Sequence, residues 1–279
     1  MKRILGFLAI PLFLIIIFLL QFLPATASKT FPVMGTEVTI TITDRNPSQH
    51  IGAAYSRLKE IESKMNRFDP YSEISRINRE GFGAKVAVSQ DTFDCISLAE
   101  NISKITDGAF DITLTGNYKS LLLDKKYLTV GFKKPGITIN LDGIAKGYGI
   151  ESARRLLFKR GVKNAMIDAR SSIAVIGGPW KIGLSDPRNN GEIIKIITLG
   201  SYEAVSTSGI EQQGLHIVNP KTGKPANGCV SVTLIGHDAG YLDGLSTGLF
   251  VLGPMNGKKL ARRLGQKAII ITKDQIITL

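Results

Sequence analysis

Side chains able to do chemistry gather in four places along this chain. In Leu242–Phe250, Asp243 and Thr247 stand four apart, so a helix puts a carboxylate and a hydroxyl on one face. Such oxygens suit a hard cation such as Mg²⁺, which takes one or two carboxylates and usually keeps several waters. The same pair also reads as an N-cap carboxylate followed by a packed Thr. In Ile139–Gly149 a strand pattern runs into a helix pattern, with Gly143 at the junction and Lys146 in the first turn. Free N–H groups at a helix start attract phosphate and an ammonium can join them, although a lysine there is equally an ordinary solvated residue. Ala204-Val205 leads into Ser206-Thr207-Ser208-Gly209, read as a loop offering hydroxyl and N–H donors to an anion. His216 follows, just ahead of the turn-forming Asn219-Pro220-Lys221-Thr222-Gly223, and is either a group titrating near neutral pH or a half-exposed turn residue. The fourth place is Met34, Phe68 and Ala109-Phe110-Asp111. These could wall a flat aromatic ligand, or simply fill a core.

The elements that must hold these residues read as one continuous α+β domain over residues 28–279. Strand alternation marks Glu37–Ile42, and helical spacing links Ile51, Tyr55, Leu58, Ile61 and Met65. A short helix with a Ser cap is predicted over Ser72–Asn78, and longer ones over Thr92–Ile105, Gly143–Lys159 and Tyr241–Val251. Leu121–Asn140 suggests a hairpin turning at Lys133-Lys134-Pro135-Gly136. Further strands are expected at Ala165–Ile167, Ile173–Ile176, Trp180–Gly183, Ile193–Thr198, Val230–Ile235 and Ala268–Thr272. There is no internal repeat and no low-complexity linker.

Of 279 residues, 43% are hydrophobic and 21% charged, which excludes disorder and collagen-like structure. The net charge is +12, of which Lys2 and Arg3 supply two. A basic surface favours anionic partners without choosing among them. No basic-aromatic module or zinc finger supports a nucleic-acid role. Two cysteines and three histidines are too few for a zinc cluster or disulfide framework; Cys95 and Cys229 could pair in an oxidising compartment, or stay as two buried free thiols, the reading favoured here. Dinucleotide, P-loop, HExxH and GxSxG motifs are absent. Lys2 and Arg3 precede an uncharged apolar run, Ile4–Leu23, and then Ala25-Thr26-Ala27. That order is a secretory signal peptide, or, given the length of the run, an uncleaved membrane anchor with the remaining chain outside. Residues 1–27 are therefore assigned to export.

Taken in order, MGTEVTI at 34–40, MNRFDPYSEISRIN at 65–78, DGAFDIT at 107–113, INLDGIAKGYG at 139–149, AVSTSG at 204–209, HIVNPKTGKP at 216–225 and LDGLSTGLFVLG at 242–253 resemble the FAD:protein FMN transferase (ApbE) family. The resemblance spans nearly everything from Val33 to Gly253. It implies an α+β fold with antiparallel-rich sheets, acting on the outer face of the cytoplasmic membrane. It implies that FAD binds with Mg²⁺ and that FMN passes to a Ser or Thr of an exported or membrane acceptor protein while AMP leaves. By the family pattern, Asp243, Thr247 and the main-chain oxygen of Gly143 hold the metal. Met34, Phe68, Ala109, Phe110, Asp111, Asn140, Lys146 and Ile217 line the FAD, and His216 is the candidate proton acceptor. The chain departs from the pattern in several places. Asn140 stands where Asp is frequent, and Phe68 where Tyr is common. The Asp111–Asn140 stretch is short. Asp168-Ala169-Arg170-Ser171-Ser172 replaces a stretch that is often Gly-rich. Two other readings share these residues: Mg²⁺-dependent hydrolysis of FAD to FMN and AMP, and a non-catalytic exported flavin binder.

Overall fold

The computed structural model describes residues 23–115, 117–189, 192–210 and 217–279. Residues 1–22, with the basic pair and most of the apolar run, and His216 lie outside the described residues. An antiparallel eight-stranded sheet runs, in spatial order, β1 (Ala25–Val33), β2 (Thr36–Asp44), β6 (Ala165–Asp168), β7 (Ser172–Ile176), β10 (Ala204–Gly209), β11 (Ser231–Gly236), β12 (Lys267–Ile271) and β13 (Ile276–Thr278). Alternation explains β2: Val38, Ile40 and Ile42 are buried on one face. That face packs against three helices, α1 (Pro47–Met65), α4 (Ala145–Lys159) and α5 (Ala239–Arg263). They contribute Ile51, Leu58, Ile150, Leu157, Leu245 and Leu249 to a shared core.

The opposite face of the sheet carries Ile173, Val205, Ile269 and Ile271 and is covered by a two-stranded hairpin, β8 (Trp180–Ser185) and β9 (Ile193–Leu199). A second apolar cluster lies at the far end of α1, where Ile61 and Met65 meet α2 (Glu73–Glu80), α3 (Gln90–Ile105) and a small sheet. That sheet is ordered β3 (Val86–Ala87), β5 (Thr129–Phe132), β4 (Leu121–Asp124). The expected mixed fold with antiparallel sheets is present.

Local chemistry sets the boundaries. Ser72 caps α2 by accepting the N–H of Ser75 at 3.0 Å, as expected from sequence. The hairpin turns at residues 125–128, not at 133–136. Asp124 Oδ1 accepts the Lys126 N–H at 3.1 Å and closes the turn, while Pro135-Gly136 falls after β5. Ser206–Gly209 is not a loop. It belongs to β10, paired antiparallel to β11 along its whole length. β1 was hidden by its polar composition; it is an exposed edge strand held to β2 by hydroxyl pairs Thr26–Thr43, Ser28–Thr41 and Thr30–Thr39, each 2.8 Å. Ala25-Thr26-Ala27 thus lies inside a paired strand. α4 begins at Ala145 rather than Gly143, and α5 continues past the expected Val251 through a bend at Gly253, before Pro254. Cys95 and Cys229 are free and buried.

Charges tie the first helices together. Asp91, in the first turn of α3, accepts from Arg57 and from Lys64, the latter at 2.6 Å, both on α1. Arg57 Nε also reaches Ser152 Oγ on α4 at 2.8 Å. Burial alone would raise the Asp91 carboxyl, but the hydrogen bonds from Arg57 and Lys64 win and hold it below the ordinary carboxylate value. A depressed carboxylate pKa contributes stability above the unfolded value of about 3.9 and loses it as pH falls through the folded value. Asp91→Asn should therefore cost about 1–2 kcal/mol at pH 7. The gap to wild type should close as pH falls from 7 to well below the ordinary carboxylate value. Urea melts at both pH values check this, and a pH-independent difference would show that packing, not charge, holds α3.

Candidate active site

The site begins where α4 and α5 touch. A Cβ built on Gly147 would fall 2.3 Å from the Ala239 carbonyl oxygen and 2.5 Å from Asp243 Cβ, so only glycine lets the backbones come this close. The contact brings the Gly147 N–H to Asp243 Oδ2 at 2.9 Å. Asp243 is 4% exposed. Its other oxygen takes the Ser206 hydroxyl at 3.3 Å, and Ser206 bonds Ser172 at 2.7 Å. One turn on, the Thr247 hydroxyl meets Ser208 Oγ at 2.9 Å and the Asp243 carbonyl oxygen at 3.2 Å. Two residues along a strand advance about 6.8 Å, and four along a helix about 6 Å. β10 and α5 therefore match hydroxyl for ligand: Ser206 to Asp243, Ser208 to Thr247. Gly143 sits beside this cluster, a Cβ on it lying 3.8 Å from Thr247 Oγ1.

Burial pushes the Asp243 carboxyl above its ordinary value, against the opposing pull of Lys146, the Gly147 N–H and the serine hydroxyls. A buried carboxylate of this kind is a place for a cation. Among the described residues no group of three or more His, Cys, Asp or Glu could cage a metal. One carboxylate and one hydroxyl, with the Gly143 backbone beside them, form a hard, incomplete oxygen set. That set fits Mg²⁺, which completes its shell with water and substrate phosphate.

All eleven described candidates line one open cavity of about 1000 Å³: Met34, Phe68, Ala109, Phe110, Asp111, Asn140, Gly143, Lys146, Ile217, Asp243 and Thr247. Their parts differ. Met34 holds a left-handed backbone (φ 58°) and gives its N–H to Glu62 Oε1 at 2.5 Å. Phe68 is 75% exposed at the rim, with the Arg67 guanidinium 4.0 Å above its ring. Phe110 is largely core, beneath Gly143 and Gly244. Asp111 is buried and organises its own loop, accepting from Thr113 N and Oγ1 at 2.7 Å and Tyr118 N at 3.0 Å. Asn140 Oδ1 accepts the Asp142 N–H at 2.7 Å, and Lys146 reaches the Asp142 carbonyl oxygen at 3.4 Å. Ile217 accepts from Ala226 N at 2.8 Å at the base of the 217–226 turn. Ser206 and Ser208, expected as anion donors on a loop, instead support Asp243 and Thr247 from a strand; Glu62, Arg67 and Arg170 also line the cavity and were not among the candidates. For the two serines the signal was present: Val205-Ser206-Thr207-Ser208 alternates as a strand does.

The model of the ApbE family matches residues 34–119 and 114–271. The chain is 29% identical over 258 residues to the FAD:protein FMN transferase of Vibrio cholerae serotype O1, covering 77% of each chain. It is 26% identical over 288 residues to that of Haemophilus influenzae, covering 86% of this chain and 82% of the relative. The solved ApbE protein of Thermotoga maritima superposes with a TM-score of 0.83 at 30% identity, over 91% of this chain and 97% of the other. The flavin transferase ApbE of Vibrio cholerae superposes with a TM-score of 0.84 at 24% identity, over the same shares.

The tightest constraint yields a prediction. Gly147→Ala should force α4 from α5, cost about 2–3 kcal/mol and disturb the Asp243 carboxylate. A thermal melt reads the first effect. Wild-type stability in this variant would mean that the two backbones are not pressed together at Gly147.

Proposed function

The chain belongs to the ApbE family and is an FAD:protein FMN transferase, and we propose that it works with Mg²⁺ at the Asp243–Thr247–Gly143 oxygens on an exported or membrane-bound acceptor protein. The observation that carries the site assignment is the convergence of eleven candidates, from six separate stretches of the sequence, on one cavity with a buried carboxylate in its lining. In this reading the Ser or Thr hydroxyl of the acceptor attacks the phosphorus on the FMN side of the FAD diphosphate. The new P–O bond forms as the P–O bond to AMP breaks, AMP leaves, and the hydroxyl proton passes to a base. Bound at these oxygens, Mg²⁺ would neutralise the diphosphate and the developing charge on the leaving oxygen. Lys146 adds a point charge beside the same phosphates. Ser206 and Ser208 hold Asp243 and Thr247 in place before substrate arrives, so no reorganisation is needed during the reaction. Phe68, Met34 and Ala109 wall the flavin end. His216 is our candidate for accepting the proton.

Export is proposed from the N-terminal sequence: Lys2, Arg3, the apolar run and Ala25-x-Ala27. No helix among the described residues is long and apolar enough to cross a membrane. Cleavage after Ala27 would leave the Ser28–Thr41 and Thr30–Thr39 pairs of β1 in place. Fractionation and N-terminal sequencing test this: Ser28 as first residue indicates cleavage, an intact Met1 in the membrane fraction indicates an anchor, and a soluble cytoplasmic full-length protein refutes both.

The activity test incubates the protein with FAD, Mg²⁺ and candidate acceptors, reading in-gel flavin fluorescence and the FMN mass increment. Asp243→Ala should lower Mg²⁺-dependent transfer by about 10²-fold or more while circular dichroism stays native. Full activity in that folded variant removes the metal assignment. His216→Ala should slow transfer by about 10²–10⁴-fold and leave FAD affinity nearly unchanged; unchanged transfer removes His216 as the base. FMN and AMP released in equal amounts without acceptor labelling would point instead to hydrolysis.

A further inference from the structure

The turn between β6 and β7 is built to present one side chain. Asp168 Oδ1 accepts the Arg170 N–H at 2.7 Å, Ala169 N–H bonds the Ser172 carbonyl oxygen at 2.9 Å, and Ser171 N–H bonds the Ala169 carbonyl oxygen at 2.8 Å. These bonds hold Arg170 at φ 65°, the left-handed region that disfavours any residue with a Cβ. An arginine kept there asks for a reason. Its side chain lines the cavity, and its guanidinium is paired with Glu37 of β2, just beyond the Met34–Thr36 segment of the cavity wall. Both partners are more than half exposed, 57% and 59%, so the pair is screened and weak.

The turn also borders the oxygen cluster. Ser206 Oγ lies 3.5 Å from the Ser171 carbonyl oxygen and 3.3 Å from Asp243 Oδ1. Among the described residues the cavity is lined by four carboxylates, Glu62, Asp111, Asp142 and Asp243, against three cations, Arg67, Lys146 and Arg170. Arg67 is engaged with Asp142 at 3.3 Å and with the Phe68 ring. The proposed Mg²⁺ and Lys146 would meet part of a diphosphate's charge, and a further cation in the lining could take the phosphate oxygens they leave. A planar guanidinium in a weak, exposed pair is the donor best able to change partners, because its fork matches two phosphate oxygens at once.

We propose that Arg170 is a phosphate-binding residue of this site, which leaves Glu37 to grip the FAD diphosphate on the side facing β10; the proposal rests on FAD occupying this cavity. Glu37 then acts as a holding partner that competes with the nucleotide.

Isothermal titration of the full chain with FAD and Mg²⁺, and separately with riboflavin, which lacks phosphates, tests this. Arg170→Ala should weaken FAD binding about 10-fold or more, raise KM in step, and leave kcat within about threefold. Arg170→Lys should restore part of the affinity, because it keeps the charge without the fork. Arg170→Gly should weaken FAD equally with no fall in melting temperature, since glycine tolerates the left-handed backbone; this separates a binding role from a structural one. Glu37→Gln should tighten FAD by about two- to threefold, the factor expected for removing a weak competing pair. Riboflavin binding should not respond to any of the four. Unchanged FAD affinity in both Arg170→Ala and Arg170→Gly overturns the proposal, as does an equal loss for FAD and riboflavin. A wild-type protein that binds no FAD overturns the assignment of the cavity itself, a different failure.

Discussion

The structure turns on one buried carboxylate. Asp243 is almost wholly withdrawn from water, and a charge in that position is tolerable only if its lone pairs are met. One partner is the backbone N–H of Gly147, which reaches it only because α4 and α5 are in backbone contact. The other is Ser206 of β10, which requires the central strand to lie under α5 in a fixed register. Helix–helix distance, strand–helix register and the identity of residue 147 are therefore not independent features. Each follows from where the carboxylate has to be.

A second ionic arrangement fixes where α5 starts, and so where Asp243 falls. Arg154 of α4 is fully buried, yet its guanidinium meets Glu151, the His237 carbonyl oxygen, the Glu203 carbonyl oxygen at 2.9 Å and the face of Tyr202 at 4.0 Å. Glu151 in turn accepts the N–H of Ala239, the first residue of α5, at 3.2 Å. Asp238 caps the same helix through Tyr241 N at 2.9 Å and pairs with Arg155 at 2.7 Å. Buried ion pairs contribute little net stability against apolar substitutes, but they penalise every misplacement of their partners. Here that penalty sets the first turn of α5 one turn before the residue that matters.

Much of this was legible in the residues. The helices carrying Lys146 and Asp243 show helical spacing, and the strands with buried alternation were found near their observed ends. What escaped did so for physical reasons. β1 is an edge strand whose polar side chains pair across the strand, so no apolar alternation announces it. Ser206–Gly209 has a loop's composition but a central strand's place, because its serines serve α5 instead of solvent. The hairpin turn went to Pro135-Gly136 on residue type, whereas Asp124 closes the turn several residues earlier. Arg170 was visible only as a departure from a Gly-rich pattern; the left-handed backbone that glycine would suit became apparent only with the fold in hand.

The two ends of the cavity differ in rigidity, and the difference suits substitution at phosphorus. At the inner end, oxygens and hydroxyls are fixed by at least one bond each: Asp243 by Gly147, Thr247 by Ser208, Ser206 by Ser172. At the outer end, Phe68 stands mostly in solvent beside a single Arg67 contact, on a loop whose other aromatic, Tyr71, is 94% exposed. Charge that develops on phosphate oxygens is best stabilised by dipoles that need not move, so the inner end gains from being built tightly. In the proposed reaction the flavin ring takes no part in the bond exchange, and with the ring at the outer end a protein acceptor would have to reach the phosphorus past it. On that reading an outer wall of exposed side chains would leave the approach open, while positioning at the phosphorus would stay with the helices and strand beneath.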